Sequence, residues 1–112
     1  MQILEQHDSP DGLLKFIVGR EEDGDIYLGF QGMGWHTYAD SLASSSGLSE
    51  DAAVRQFVDR LLNGQAIVAV MRMDGQICDV WITDDSARDA KYRESNETLE
   101  FRCWDGAHSV RE

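Results

Sequence analysis

Residues 65–83, QAIVAVMRMDGQICDVWIT, decide the fold of this chain, because two apolar runs flank a strong turn signal. Asp74-Gly75 lies between the runs, and an Asp-Gly pair favours a two-residue type I′ turn with positive φ at both positions. Counting outward from this turn predicts antiparallel strands over residues 65–73 and 76–83. The predicted pairs are Met71 with Cys78, Ala69 with Val80, and Ile67 with Ile82.

This pairing makes both faces of the hairpin apolar. The six paired residues form the predicted core face, and the reverse face carries Val68, Val70, Ile77 and Trp81. Antiparallel sheets commonly keep one polar, solvated face, so the second face needs a cover. This cover could come from the segment after the hairpin, from the N-terminal strand or from another protein. A homodimer through residues 65–83 would be one example of cover by another protein.

One helix is predicted over residues 50–62. Apolar side chains recur there with the i, i+3, i+4, i+7 spacing of a single helix face: Val54, Phe57, Val58 and Leu61. Ser49 is expected to be the N-cap, whose hydroxyl accepts from an amide of the first turn. Gly64 suits the left-handed position beyond the C-terminus. The apolar stripe must be buried, so we expect the helix to pack on a sheet face.

The remaining segments complete an α+β prediction. Period-2 alternation predicts a three-stranded meander over 13–39 and a last strand near 99–103. The serine-rich segment 41–49 is expected to be a polar connection, and residues 86–89 resemble a capping box that opens a short helix through about Tyr92. We therefore expect one α+β domain over residues 1–112, with an antiparallel sheet of about six or seven strands and one main helix on one face. The predicted core is Phe57, Val58, Leu61, Ile67, Ala69, Met71, Val80, Ile82, Leu99 and Phe101.

The charge is strongly acidic and unevenly distributed. The chain has 21 acidic and 10 basic residues, a formal charge of −11 over 112 residues. Residues 1–54 contain ten acids and two bases, whereas residues 55–112 contain eleven acids and eight bases. Nucleic acid is excluded as a direct ligand, because phosphate recognition needs clustered Lys and Arg. A negative field of this kind steers a cationic partner towards the protein.

Composition also predicts a location. The first residues have no basic region followed by an apolar run, so no secretory signal is predicted. The longest apolar run, residues 66–71, is far shorter than a membrane span, and no membrane association is expected. Two cysteines without a secretory signal favour reduced thiols. We therefore expect a cytoplasmic protein, plausibly bacterial.

The first functional hypothesis is a protein-binding module that occupies a basic surface of a partner. Its binding residues would be Glu21, Glu22, Asp23 and Asp25 of a polar loop, together with Asp79 and Trp81. For Asp79, a diagonal salt bridge to Arg72 is the competing structural explanation. In size, acidity and lack of catalytic motifs the chain is similar to bacterial immunity proteins for toxins, a similarity of class that rests on no shared motif.

The alternative hypothesis is a small-molecule-binding domain or a minor enzyme. The glycine-rich block at residues 29–38 contains Trp35, His36 and Tyr38, which could line a pocket with Asp40 as a polar partner. The block lies between two predicted strands and no helix follows it, so a dinucleotide-binding loop is excluded. The competing explanation is a glycine-kinked hairpin whose aromatic side chains pack on the sheet.

No metal, cofactor or catalytic residue is predicted. His7, His36 and His108 lack the spacing of a metal site, and no cysteine pair or calcium loop is present. Cys78 and Cys103 are both predicted on core faces, where a thiol is buried and unreactive. The sequence therefore favours a binding protein over an enzyme.

Overall fold

The computed structural model describes residues 1–85, 88–89 and 96–106, and the backbone of residues 110–111. Within this part of the chain, eight strands form two antiparallel four-stranded sheets, and two helices pack with them. The α+β class is therefore confirmed. The elements are β1 (Gln2–Asp8), β2 (Lys15–Arg20), β3 (Ile26–Phe30), β4 (His36–Tyr38), α1 (Ala39–Ser46), α2 (Glu50–Leu62), β5 (Ile67–Met73), β6 (Gln76–Thr83), β7 (Glu97–Arg102) and β8 (Val110–Arg111).

The strands divide between two sheets rather than forming the single sheet predicted. The meander sheet has the order β1-β2-β3-β4, and the hairpin sheet has the order β6-β5-β7-β8. Strand β1 is not predicted from the sequence, because its side chains are mostly exposed and its pattern lacks a buried apolar face. It is a strand because it pairs with β2 along its length. Among the described residues, no helix has both the length and the apolar character needed to cross a membrane.

The main helix has the predicted bounds and caps. Ser49 is its N-cap, and the Ser49 hydroxyl accepts from the Ala52 amide at 3.3 Å. Gly64 follows the C-terminus with φ of +75°, a left-handed conformation that glycine adopts without a steric penalty. Val58 and Leu61 are fully buried, and the Phe57 ring stacks on Phe16 of β2 with ring centroids 6.1 Å apart. The helix therefore packs on the meander sheet, as predicted.

The prediction of a polar connection over residues 41–49 is wrong for most of its length, because α1 extends through Ser46. The hydroxyls of Ser45 and Ser46 donate to the Leu42 carbonyl, so these serines satisfy their polar groups within the helix. Leu42 packs against the main core, and Gly47 ends the helix with φ of +76°. Serine content alone favours a loop, but the burial of Ala39 and the packing of half-buried Leu42 outweigh that preference.

The Asp74-Gly75 turn is confirmed, but the pairing beyond it is wrong by one residue. Both turn residues have positive φ, as a type I′ turn requires. A bulge then falls at Cys78, so that Arg72 pairs with Ile77 but Met71 pairs with Asp79. Further pairs follow the shifted register: Ala69 with Trp81, Val70 with Val80, and Val68 with Ile82. The extra residue in β6 places Val68 and Val70, rather than Ala69 and Met71, on the same face as Val80 and Ile82, because side chains alternate with a period of two.

The main core lies between the two sheets and α2. It contains Phe16, Val18, Leu28 and Phe30 from the meander sheet, Val58 and Leu61 from α2, and Val68, Val70 and Val80 from the hairpin sheet. Of the predicted core, Val58, Leu61 and Val80 are buried here, and Phe57 and Ile82 pack against it while half-buried. Ile67 is 41 % exposed, so its assignment to the core is wrong.

The face of the hairpin sheet that points away from the main core carries a second, smaller cluster. Ala69, Leu99 and Phe101 are buried in it, and Met71 and Trp81 pack against them. The Trp81 indole donates to Asp89 at 2.8 Å, so the segment after the hairpin covers this face at that point. Asp89 lies in a helical turn, in which the Arg88 amide donates to the Asp85 carboxylate. The predicted continuation of this short helix to Tyr92 lies outside the described residues.

Candidate functional site

The acidic loop between β2 and β3 is a short, well-defined turn. The Gly24 amide donates to the Glu21 carbonyl, and the Glu21 amide donates to the Asp25 carbonyl, both at 2.9 Å. Gly24 has φ of +95°, a backbone conformation that glycine adopts without a steric penalty and that closes the turn. The Asp23 carboxylate accepts from the Asp25 amide at 3.1 Å. The turn therefore holds its four carboxylates close together at one end of the meander sheet.

Elsewhere in the described residues, most arginines are paired with carboxylates. Arg55 bonds Glu5 at 2.7 Å, Arg72 bonds Glu100 at 3.2 Å, and Arg88 bonds Asp84 at 3.1 Å. Arg102 bonds Asp11 at 2.6 Å. The described ion pairs include none of the four loop acids. Within the described part of the chain, the ion pairs thus neutralise acidic residues other than those of the loop.

Electrostatic crowding at the loop extends to Asp40, the first acidic residue of α1. The charge of Asp23 is the largest cause that raises the pKa of Asp25, and the charges of Asp40 and Glu21 raise that pKa further. A shallow depression of about 410 Å³ lies beside the loop, lined by Met1, Glu21, Glu22 and Asp23. We call the five carboxylates of residues 21, 22, 23, 25 and 40 the acidic surface.

An aromatic cluster borders this surface on the outer face of the meander sheet. The Tyr27 ring stacks on His36 with centroids 5.1 Å apart, and Tyr38 stands edge-on to both. The Tyr38 hydroxyl donates to Glu21 at 3.1 Å. Burial and this bond raise the pKa of Tyr38, because both favour the protonated hydroxyl that donates to Glu21. Gly29 leaves room for the cluster, because a Cβ there would lie 2.6 Å from the Tyr27 hydroxyl oxygen.

Tyr27 is not among the predicted site residues, although its alternation with Ile26 and Leu28 places it on the face opposite the core. The Gly-rich block is a hairpin in which Gly29 pairs with His36. His36 and Tyr38 lie on the outer face, whereas Trp35 packs on the core side against Phe30. The pocket residues of the alternative hypothesis therefore divide between two faces, and Asp40 contributes to the acidic surface instead.

Asp79 and Trp81 lie in the other sheet, on the face of the second cluster. The predicted salt bridge between Asp79 and Arg72 is wrong, because the bulge places Asp79 beside Met71 and Arg72 pairs with Glu100. The Asp79 carboxylate accepts from the Val80 amide at 2.9 Å. Trp81 is half-buried and bonded to Asp89, so the described contacts do not join these two residues to the loop acids.

A separate groove of about 880 Å³ lies on the core side of β4, between the two helices and the end of β6. Trp35, Leu42, Phe57 and Ile82 contribute apolar walls, and Gln56 and Arg60 of α2 contribute polar groups. Only Trp35 belongs to the predicted pocket. Arg60 was not identified as a site residue, because its position opposite the apolar stripe of α2 is typical of a solvated surface residue.

The thiols and histidines differ in their surroundings. Cys103 is buried, as predicted, and its thiol donates to the Gly64 carbonyl at 3.3 Å. Cys78 is exposed, because the bulge removes it from the paired ladder, so its predicted burial is wrong.

The described histidines form local hydrogen bonds. His7 bonds the Glu5 carboxylate, and His36 bonds the Gly34 carbonyl. His108 lies outside the described residues, among which no three His, Cys, Asp or Glu side chains are arranged to hold a metal ion.

Comparisons with known proteins identify no relatives of this chain. No protein-family model matches it, and neither a curated protein nor a solved structure matches it.

Proposed function

We propose that this protein is a binding module whose acidic surface docks on a basic surface of another protein. The observation that carries the proposal is the cluster of carboxylates on the loop 21–25 and at Asp40, which take part in none of the ion pairs within the described residues, whereas four arginines pair with acids elsewhere. The mutual repulsion that raises the pKa of Asp25 is relieved when a cation approaches. The acidic surface would therefore gain most from a Lys- or Arg-rich partner.

Electrostatics and shape contribute in different ways to this docking. Exposed carboxylates steer the encounter and set its rate, whereas aromatic side chains contribute desolvated contact area. Tyr27, His36 and Tyr38 lie beside the carboxylates, and the Tyr38–Glu21 bond orients one acid before the partner arrives. A similar division of roles is expected for inhibitors that occupy the basic, phosphate-binding surface of a nuclease. Inhibition of such an enzyme is the most specific form of the proposal.

The proposal is tested by capture of basic proteins with two variants that lose the same number of charges. The loop variant carries Glu21→Gln, Glu22→Gln, Asp23→Asn and Asp25→Asn. The matched control carries substitutions at exposed acids elsewhere: Asp8→Asn, Glu50→Gln, Asp51→Asn and Asp74→Asn. Each protein is immobilised and exposed to native cytoplasmic extract at low and at high salt.

We expect the wild type and the matched control to retain the same basic partner at low salt, and the loop variant to lose it. High salt should release the partner from both, because exposed charges are screened beyond about 10 Å at 0.1 M ionic strength. Equal losses in the two variants would show that net charge alone matters and would contradict the proposal. Retention by the loop variant, or capture of no basic protein, would also contradict it.

A further inference from the structure

The groove between α1, α2 and the end of β6 is lined by residues that the proposed docking function does not use. Several half-buried side chains of the main core remain open to solvent there: Trp35, Leu42, Phe57, Ala66 and Ile82. Its volume of about 880 Å³ falls within the usual range of about 300–1,000 Å³ for small-molecule sites. The groove can therefore admit a compact organic molecule.

Small side chains account for the opening. Ser45 and Ser46 face the groove from the last turn of α1, and Ala53 and Ala66 face it from the other side. Both serine hydroxyls donate to the Leu42 carbonyl of their own helix. The serines therefore add little volume to the space between the helices.

The aromatic walls are fixed by the buried residues behind them. Phe57 stacks on Phe16 at an interplanar angle of 26°, and Trp35 packs against Phe30 with centroids 6.1 Å apart. Phe16 and Phe30 are fully or almost fully buried in the meander sheet. A planar aromatic ligand would therefore meet rings that are already held in place, which lowers the entropic cost of binding.

The charge of the lining favours an anionic group on that ligand. Arg60 is the one cationic side chain among the groove residues, and it takes part in no ion pair within the described part of the chain. The lining has a single carboxylate, Asp84, which is bonded to Arg88. Although the whole protein is acidic, the groove itself holds an uncompensated cation beside apolar walls.

From this combination, we propose that the groove binds a small aromatic carboxylate. The ring would lie against Trp35 and Phe57, and the carboxylate would accept hydrogen bonds from the Arg60 guanidinium, for which a carboxylate is the matching acceptor. The site is independent of the acidic surface, since Trp35 faces the core side of β4 whereas His36 and Tyr38 face the outer side.

Three probes with one aromatic body test the assignment: 2-naphthoate, 2-naphthamide and 2-naphthylmethylammonium. Amide-resolved NMR titration of the intact chain reports both affinity and location. We expect 2-naphthoate to bind with a Kd of about 1 mM or tighter, which is ordinary for a ligand of this size. Its shifts should centre on α2 and on the residues around Trp35. The amide should bind more weakly and the cation most weakly.

Three variants distinguish the contribution of the Arg60 charge to probe affinity from that of the apolar groove walls. Arg60→Gln should weaken 2-naphthoate roughly three- to tenfold, the range for an ion pair at a partly exposed site, and should leave 2-naphthamide unchanged. Ser45→Phe, at an exposed helical position, should fill the groove and weaken both probes. Arg55→Gln, which removes a neighbouring arginine paired with Glu5, should leave both affinities unchanged.

Absence of 2-naphthoate binding, equal affinity for acid and amide, or an unchanged affinity in Arg60→Gln would overturn the assignment. Chemical-shift changes centred on residues outside the groove would also overturn it. None of these outcomes bears on the docking proposal, because the loop carboxylates are intact in every groove variant.

Discussion

Arg102 and Asp11, which are 91 positions apart in the chain, form a salt bridge that ties the two sheets together. The Arg102 Nη1 donates to Asp11 Oδ2 at 2.6 Å, and the same guanidinium donates to the carbonyls of Cys103 and Trp104. Arg102 is only 4 % exposed, whereas the Asp11 side chain is 42 % exposed. Because Asp11 lies in the β1–β2 turn, this contact fixes the meander sheet against the end of β7.

The first prediction concerns acid stability. The hydrogen bond from Arg102 is the largest cause that holds the pKa of Asp11 far below its ordinary value of 3.8. The folded state therefore favours the charged carboxylate, and this stabilisation is present at neutral pH and decreases as the pH falls through 3.8. Asp11→Asn should lower the free energy of unfolding by about 1–2 kcal/mol at pH 7, a modest loss because Asp11 is partly exposed.

Chemical denaturation of both proteins at several pH values provides the measurement. The difference between wild type and Asp11→Asn should be largest above about pH 5 and should shrink below the ordinary carboxyl pKa. A difference that stays constant down to pH 2 would show that the substitution acts through something other than the charged pair.

The second prediction concerns the buried face of α2. Leu61 is fully buried in the main core, so Leu61→Ala should lower the free energy of unfolding by about 2–5 kcal/mol through lost transfer energy and a residual cavity. Leu48→Ala is the matched control, because Leu48 is 39 % exposed and should cost far less. Equal denaturation midpoints for the two variants would contradict the assignment of the helix face.

The third prediction concerns the two thiols, which the fold makes unequal. A thiol-reactive dye should label Cys78 in the native protein, because Cys78 is exposed at the bulge. Cys103 should react only after denaturation, because it is buried and bonded to the Gly64 carbonyl. Cys78→Ser should therefore abolish native labelling, and a mass spectrum would identify the labelled residue. Rapid native labelling of Cys103 would contradict its burial.

The fourth prediction concerns the kinetics of docking and applies once a partner has been identified. Reversal of Glu21, Glu22, Asp23 and Asp25 to lysine should slow association far more than it speeds dissociation, since rim charges mainly govern encounter. Association of the wild type should fall steeply with added salt. Surface plasmon resonance at several salt concentrations measures both rates. An unchanged association rate in the reversed variant would argue against steering by the loop.

Local sequence signals predicted α2 and the hairpin turn, because both depend on interactions between near neighbours. The Ser49 cap, the apolar stripe of α2 and Gly64 all act within a few residues. Asp74-Gly75 likewise selects its turn through backbone conformation alone. The acidic loop was also predictable from the sequence, because its turn requires only Gly24 and the polar residues beside it.

The candidate sites were less predictable, because each combines distant segments. Asp40 joins the loop acids through the packing of α1 beside the meander sheet, and Arg60 faces a groove that exists only when both helices and β6 are in place. Nothing close to these residues in the chain indicates either arrangement.

The sequence by itself determined the α+β class, the main helix with its caps, the type I′ turn and the location of excess negative charge. Tertiary structure decided which residues of β5 share the core face with Val80 and Ile82, because the bulge at Cys78 shifts the register by one residue. It also decided that Arg72 pairs with Glu100 rather than Asp79, and that residues 39–46 are helical. These outcomes depend on packing and pairing between distant segments, whose energies exceed the local preferences of the residues concerned.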